Sequence, residues 1–128
     1  MSDAPFVING KFEELHAFQL LQKLPQGILV ADQATSTFVF ANEQMQQWLG
    51  YSAAELMGKT PAYIHPPEEM ERVMMAFQAM LKGEMQLVKN IRFLNSRGAI
   101  IFCDVQAQLM ETSSGNFICG FMTLSLQK

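Results

Sequence analysis

Two histidines and two cysteines are the first residues to test for chemistry in this sequence, and they are widely scattered. His16 falls beside Leu15 on a predicted leading helix, and His65 sits in a proline-rich connector. Cys103 and Cys119 lie in predicted strands. Four such residues on four elements do not make a zinc spacing. The cysteines form neither a CxxC motif nor a disulfide framework, so they read as buried, reduced thiols. Gly50-Tyr-Ser-Ala-Ala lacks the second glycine of a nucleophile elbow. Ser52 is better explained by Glu55 three residues on, the pattern of a helix capping box. Cys103 and His65 would serve as nucleophile and base only if the fold brought them together. Glu68 and Glu69 stand at a helix start, where the dipole favours carboxylates. No glycine-rich phosphate loop is present. These observations predict a domain that is not an enzyme, with no metal site.

Composition narrows the class further. At 128 residues the chain is long enough for one core without staples. Its net charge of −3 comes with no basic cluster, which argues against nucleic-acid binding. No apolar run reaches the length of a membrane span, and Met-Ser-Asp-Ala-Pro at the start does not resemble a signal peptide. A cytoplasmic location is expected. Methionine is abundant, with Met70, Met74, Met75, Met80 and Met85 close together. Flexible thioethers suit either an adaptable pocket or a soft core.

The elements that position these residues are clearest in the last third. Met85 to Asn95, Ala99 to Met110 and Asn116 to Leu126 are strand-like runs separated by Ser96-Arg97-Gly98 and by Glu111 to Gly115, both turn signals. In the middle run Ile101, Cys103, Val105, Ala107 and Leu109 share one face, and Ile100, Phe102, Asp104, Gln106 and Gln108 the other. Such a meander needs a cover. Upstream, Phe12, Leu15, Phe18, Leu21 and Leu24 form an apolar stripe on a helix over about 11–24, which Pro25 and Gly27 stop. Ile28 to Ala31 and Phe38 to Ala41 read as a hairpin. Asn42 caps a helix carrying Met45, Trp48 and Leu49, and a short helix from Ser52 ends at Gly58. Thr60 to Pro67 reads as a one-turn connector. A long helix runs from Pro67 or Glu68 to about Leu81, closed by Gly83.

The stretch Phe40-Ala-Asn42 through Trp48-Leu-Gly-Tyr-Ser-Ala-Ala-Glu-Leu-Met-Gly58-Lys59 resembles the heart of a PAS domain. His65-Pro-Pro-Glu-Glu69 resembles the step that opens the long PAS helix, and Phe93 to Gly98 the turn into the fourth strand. The likeness covers roughly residues 20 to 126. It implies an α+β fold: a five-stranded antiparallel sheet in the order 2-1-5-4-3, short helices on one face enclosing a small pocket, and an N-terminal amphipathic helix. Residues 1–24 would be a tail and flanking helix, and residues 25–128 the PAS domain.

The resemblance also implies a sensory or dimerisation module of a signal-transduction protein, a homodimer joined in a longer chain to a C-terminal output domain such as a diguanylate cyclase (GGDEF) or histidine kinase. The chain lacks the Asp-Ile-Thr junction that usually leads to that domain. Relatives that bind haem carry a histidine near the positions of Val73 and Met74, where this chain has none. Light-sensing relatives carry a cysteine motif where Thr60 to His65 stand. Haem and covalent flavin are therefore not expected, and the ligand, a small apolar molecule if one binds, stays open. His65 matches a position that is usually structural. The pocket walls should include Ile91, Phe93, Cys103, Val105 and Phe121 from strands, with Trp48, Ile64, Met74 and Phe77 from helices. The alternative is a ligand-free protein-protein interaction scaffold in which these side chains simply fill the core. Phe12, Leu15, Phe18 and Leu21 on the leading helix, with Ile100, Phe102, Met122 and Leu124 on the outer sheet face, are the candidate dimer or partner surface.

Overall fold

A computed structural model describes residues 14–126, with side chains from residue 19 onward. Phe12 lies outside the described residues, and Leu15, His16 and Phe18 outside the described side chains. Helix α1 (Glu14–Lys23) leads into strands β1 (Gly27–Asp32) and β2 (Thr37–Ala41). Helices α2 (Glu43–Leu49) and α3 (Ala53–Leu56) follow, then two 3₁₀ turns (Pro61–Ile64 and Pro67–Glu69) and the long α4 (Met70–Leu81). Strands β3 (Val88–Leu94), β4 (Ile100–Thr112) and β5 (Gly115–Leu124) close the chain. The sheet order is β2-β1-β5-β4-β3 with every pair antiparallel, as the PAS resemblance implies.

Local chemistry explains the turns. Asp32 Oδ1 accepts from the Ala34 N–H at 2.8 Å, and Asn95 Oδ1 accepts from both Arg97 and Ala99 at 2.9 Å. Gly98, at φ 82°, occupies a left-handed position that a β-carbon would disfavour. The Ser52–Glu55 capping box forms in both directions, at 3.1 and 2.8 Å. Asn42 does more than cap α2. Its Oδ1 accepts from Met45 at 3.1 Å and from Ile28 at 2.9 Å, and its Nδ2 donates to the carbonyls of Leu21 and Gln26. One amide thereby joins the end of α1, the start of β1 and the start of α2. A Lys23–Glu43 contact at 3.2 Å lies beside this junction, but both side chains are exposed and it adds little.

The core lies between the inner face of the sheet and the helices. Leu29, Phe38, Met45, Leu49, Leu56, Ile64, Val73, Ile91, Phe93, Cys103 and Val105 are all buried there. On β4 the alternation expected from the sequence holds, with Cys103, Val105 and Ala107 inside. On β5 it is reversed. Val105 faces Met122 and Gln106 faces Phe121, which turns Met122 inward at 2 % exposure and sends Phe121 to the outer face. Residues Phe117 to Met122 are apolar on both faces apart from Gly120, so they carry no period-two signal; the β4 register decides which side is which. Leu124 pairs with Cys103 and so shares the inner parity rather than the outer face expected of it, although it is exposed.

Strand β3 is an edge, and its free backbone groups are covered by side chains rather than by another strand. The Arg92 N–H donates to Glu69 Oε2 at 2.8 Å, and the Arg92 carbonyl accepts from His65 Nδ1 at 2.7 Å. Arg72 donates to the carbonyls of Asn90 and Lys89. A bulge before Ile91 places Asn90 at φ 59°, a conformation asparagine tolerates better than most residues.

Candidate functional site

Between α4, the 3₁₀ connector and the sheet lies a cavity of about 290 Å³. Its floor is laid by β1, β4 and β5 through Leu29, Ala31, Val105, Ile118, Gly120 and Met122, with Phe93 from β3 and Phe38 from β2. Ile64 and His65 come from the connector, and Met70, Met74, Phe77, Gln78 and Leu81 from α4. The helix presents these at i, i+4, i+7, i+8 and i+11, one continuous stripe. Gly120 sends no side chain into this space; a β-carbon there would only reach ordinary contact with Met122 Sδ at 3.4 Å and the Leu29 carbonyl at 3.6 Å. The mouth is lined by Ser36, Thr60, Pro61, Ala62, Met74 and Gln78, all but half-buried Pro61 exposed.

Among the described residues no Asp, Glu, Lys or Arg lines this cavity. A charged ligand would lose its hydration there without gaining a counter-charge, so the cavity suits neutral, largely apolar molecules. The charged groups lie behind the wall. Glu69 is buried and receives Arg72 Nη1 at 3.0 Å, Arg92 Nη2 at 3.2 Å and the Arg92 N–H. Burial raises its carboxyl pKa, but these donors more than offset that and hold it below the usual carboxylate value. Burial also pushes the His65 imidazole below its ordinary pKa, against the opposing pull of the Arg92 carbonyl and Glu69. His65 is accordingly a neutral ring, packed on Phe93 with centroids 4.4 Å apart.

Five of the nine wall residues expected from the sequence, Ile64, Met74, Phe77, Phe93 and Val105, line the cavity. The other four do not. Ile91 borders a separate void of about 10 Å³ behind Phe77 and Phe93. Cys103 is on the expected face but one residue pair too far along β4, opposite Leu124, and is fully buried. Its thiol is pushed up to about 12 by burial, so it is protonated and a poor nucleophile. Trp48 covers the start of β1, with ring carbons 2.8 and 3.1 Å from where a Gly27 β-carbon would stand. Phe121 is outside because of the β5 parity. Leu29, Phe38, His65, Gly120 and Met122 were not anticipated as wall residues; the strand register is the signal that places Gly120 and Met122 there.

Of the expected partner surface, Leu21 and Ile100 are exposed and Phe102 is half-buried. Met122 must be removed from it, since it is part of the cavity floor. Among the described residues no helix is long and apolar enough to cross a membrane, and no group of His, Cys, Asp and Glu could hold a metal ion.

Comparison with known proteins adds the following. The PAS fold family matches residues 15–124. The chain is similar to a PAS domain from a two-component sensor histidine kinase, at 14 % identity and TM-score 0.75, covering 91 % of this chain and all of that one. It is similar to the PAS domain of a Colwellia psychrerythraea protein, at 14 % identity and TM-score 0.76, covering 89 % and 98 %. A third similar structure, an RNA-binding light-oxygen-voltage receptor, is 18 % identical with TM-score 0.71; the match covers 97 % of this chain but 37 % of the receptor. The sequence matches no curated protein.

Proposed function

Since the chain belongs to the PAS fold family, matched over residues 15–124, we propose that it is a sensory module of a signal-transduction protein that responds to a small neutral ligand. The observation that carries this reading is the apolar cavity of about 290 Å³ inside the core, near the lower end of the range for small-molecule sites. A filled core would have closed that space, because protein interiors pack nearly as densely as organic crystals. Ligand binding would act on α4 and the connector, which supply one wall, and on β5, whose end leads into the C-terminus. An output domain such as a diguanylate cyclase or histidine kinase would receive the change from there, with a homodimer in the cytoplasm as the working unit. The chemistry of this module is binding rather than catalysis, consistent with the protonated Cys103 thiol.

Native mass spectrometry of the purified chain, with an absorbance spectrum of the same sample, tests this. The expected result is a dimer carrying a small-molecule mass without visible absorbance. Absence of bound mass, together with no rise in melting temperature across a panel of neutral apolar compounds, would replace the reading with a ligand-free interaction scaffold. Deleting residues 1–24 is expected to weaken dimerisation, and an unchanged dimer would remove the leading helix from that role.

A further inference from the structure

The cavity wall contains one buried polar side chain that the protein uses only in part. His65 is 3 % exposed, and its Nδ1 lies 2.7 Å from the Arg92 carbonyl. A carbonyl can only accept, so the ring proton sits on Nδ1 and Nε2 is left with a lone pair. Nε2 has no partner among the described residues. Nε2 is not among the sealed side-chain atoms without a partner, and His65 borders both the cavity and the small void behind Phe77 and Phe93. The ring cannot readily turn away, because the Arg92 carbonyl holds one side and Phe93 packs on its face. The remaining polar lining side chains, Ser36, Thr60 and Gln78, all stand at the exposed mouth.

We propose that the cavity selects an uncharged, mostly apolar ligand carrying a hydroxyl or N–H group, and that His65 Nε2 accepts the hydrogen bond from that group. This rests on the ligand-binding reading above and adds its chemical class. An apolar ligand without a donor would leave a buried nitrogen lone pair unsatisfied. A ligand offering only a carbonyl or ether oxygen at that point would set two lone pairs against each other. Both are disfavoured, and the second more so, because a buried acceptor without a donor keeps its desolvation cost. Burial holds the ring neutral, so at neutral pH it offers no second N–H that would reverse this preference. The site would thus distinguish donors from acceptors of the same size.

Two probes of matched shape test this on the full chain. 2-Naphthol carries a hydroxyl donor, and 2-methoxynaphthalene keeps the rings and the oxygen but has none. Calorimetric titration should show 2-naphthol binding about 3- to 10-fold more tightly, the worth of one net hydrogen bond. In protein labelled with ¹⁵N-histidine, 2-naphthol should move the bare Nε2 resonance of His65 towards the hydrogen-bonded range, while 2-methoxynaphthalene should not. His65→Phe should bring the two affinities together; should that variant not fold, the nitrogen resonance of the unmodified protein decides. Equal affinities with an unmoved Nε2 resonance would overturn the assignment of His65 while leaving the pocket intact. Binding of neither probe would overturn the ligand-pocket reading together with it.

Discussion

Asn42 and His65 are both buried polar side chains in connecting segments, and they differ in how completely they are satisfied. Asn42 is 0 % exposed and engages both ends of its amide, two bonds accepted and two donated. His65 engages one nitrogen and turns a cavity wall with the other still open. A fully satisfied buried group binds elements of the fold to each other. A group left half satisfied beside a cavity has capacity for a partner from outside the chain. The two sites also differ in what surrounds them. Asn42 sits where three elements converge and leave no room, whereas His65 sits where α4 stands off from the sheet.

The largest test of this contrast is Asn42→Ala. It leaves the Ile28 and Met45 N–H groups and the Leu21 and Gln26 carbonyls without their partner, and should cost about 3 kcal/mol in urea unfolding. A loss well under 1 kcal/mol would mean that water replaces the amide and the junction is not structural. Glu69→Gln should cost somewhat less, about 2 kcal/mol, since one oxygen still meets the Arg92 N–H while the charge facing Arg72 and Arg92 is gone. If its unfolding midpoint matched the parent, the covered β3 edge would owe its order to other contacts.

Acidification should expose the His65 side of the comparison. Its folded-state pKa lies below the ordinary 6.5, so the unfolded chain takes up its proton first. The stability contributed by keeping it neutral is present above pH 6.5 and is lost as pH falls through that value towards the lower folded one. Glu69 and Asp104 are also depressed, from 4.5 and 3.8; their contributions are present above those values and disappear only at still lower pH. Melting temperature should therefore fall in two stages, the first beginning as pH drops below 6.5, and His65→Phe should remove the first stage alone. A flat profile from pH 7 to pH 5 would contradict the neutral, buried imidazole. The smallest effect on stability belongs to Met74→Ala at the cavity mouth. With Met74 47 % exposed, stability should change by no more than about 0.5 kcal/mol while 2-naphthol binding weakens. Unaltered affinity would place the ligand deeper than the mouth.

Much of this arrangement was legible beforehand, for local reasons. Asn42, Ser52 with Glu55, and the Ser96-Arg97-Gly98 turn act within a few residues of themselves, so their roles can be read where they stand. The stripe on α4 and the alternation on β4 are periodic, and Met74, Phe77 and Val105 were placed on the cavity accordingly. Trp48, Cys103 and Ile91 failed because periodicity assigns a face and not a position along it. Phe121 and Met122 failed because an apolar run on a central strand does not announce its face.

The sequence by itself determined the elements, their caps and turns, and through the PAS-like segments their order in the sheet, because each depends on short-range preferences repeated along the chain. Only the tertiary structure decided which way β5 faces, that Gly120 and Met122 floor a cavity, and that Arg92 claims one nitrogen of His65 and leaves the other open. Those outcomes depend on pairing across long stretches of chain, where register and the standoff between helix and sheet are set by packing that no single segment contains.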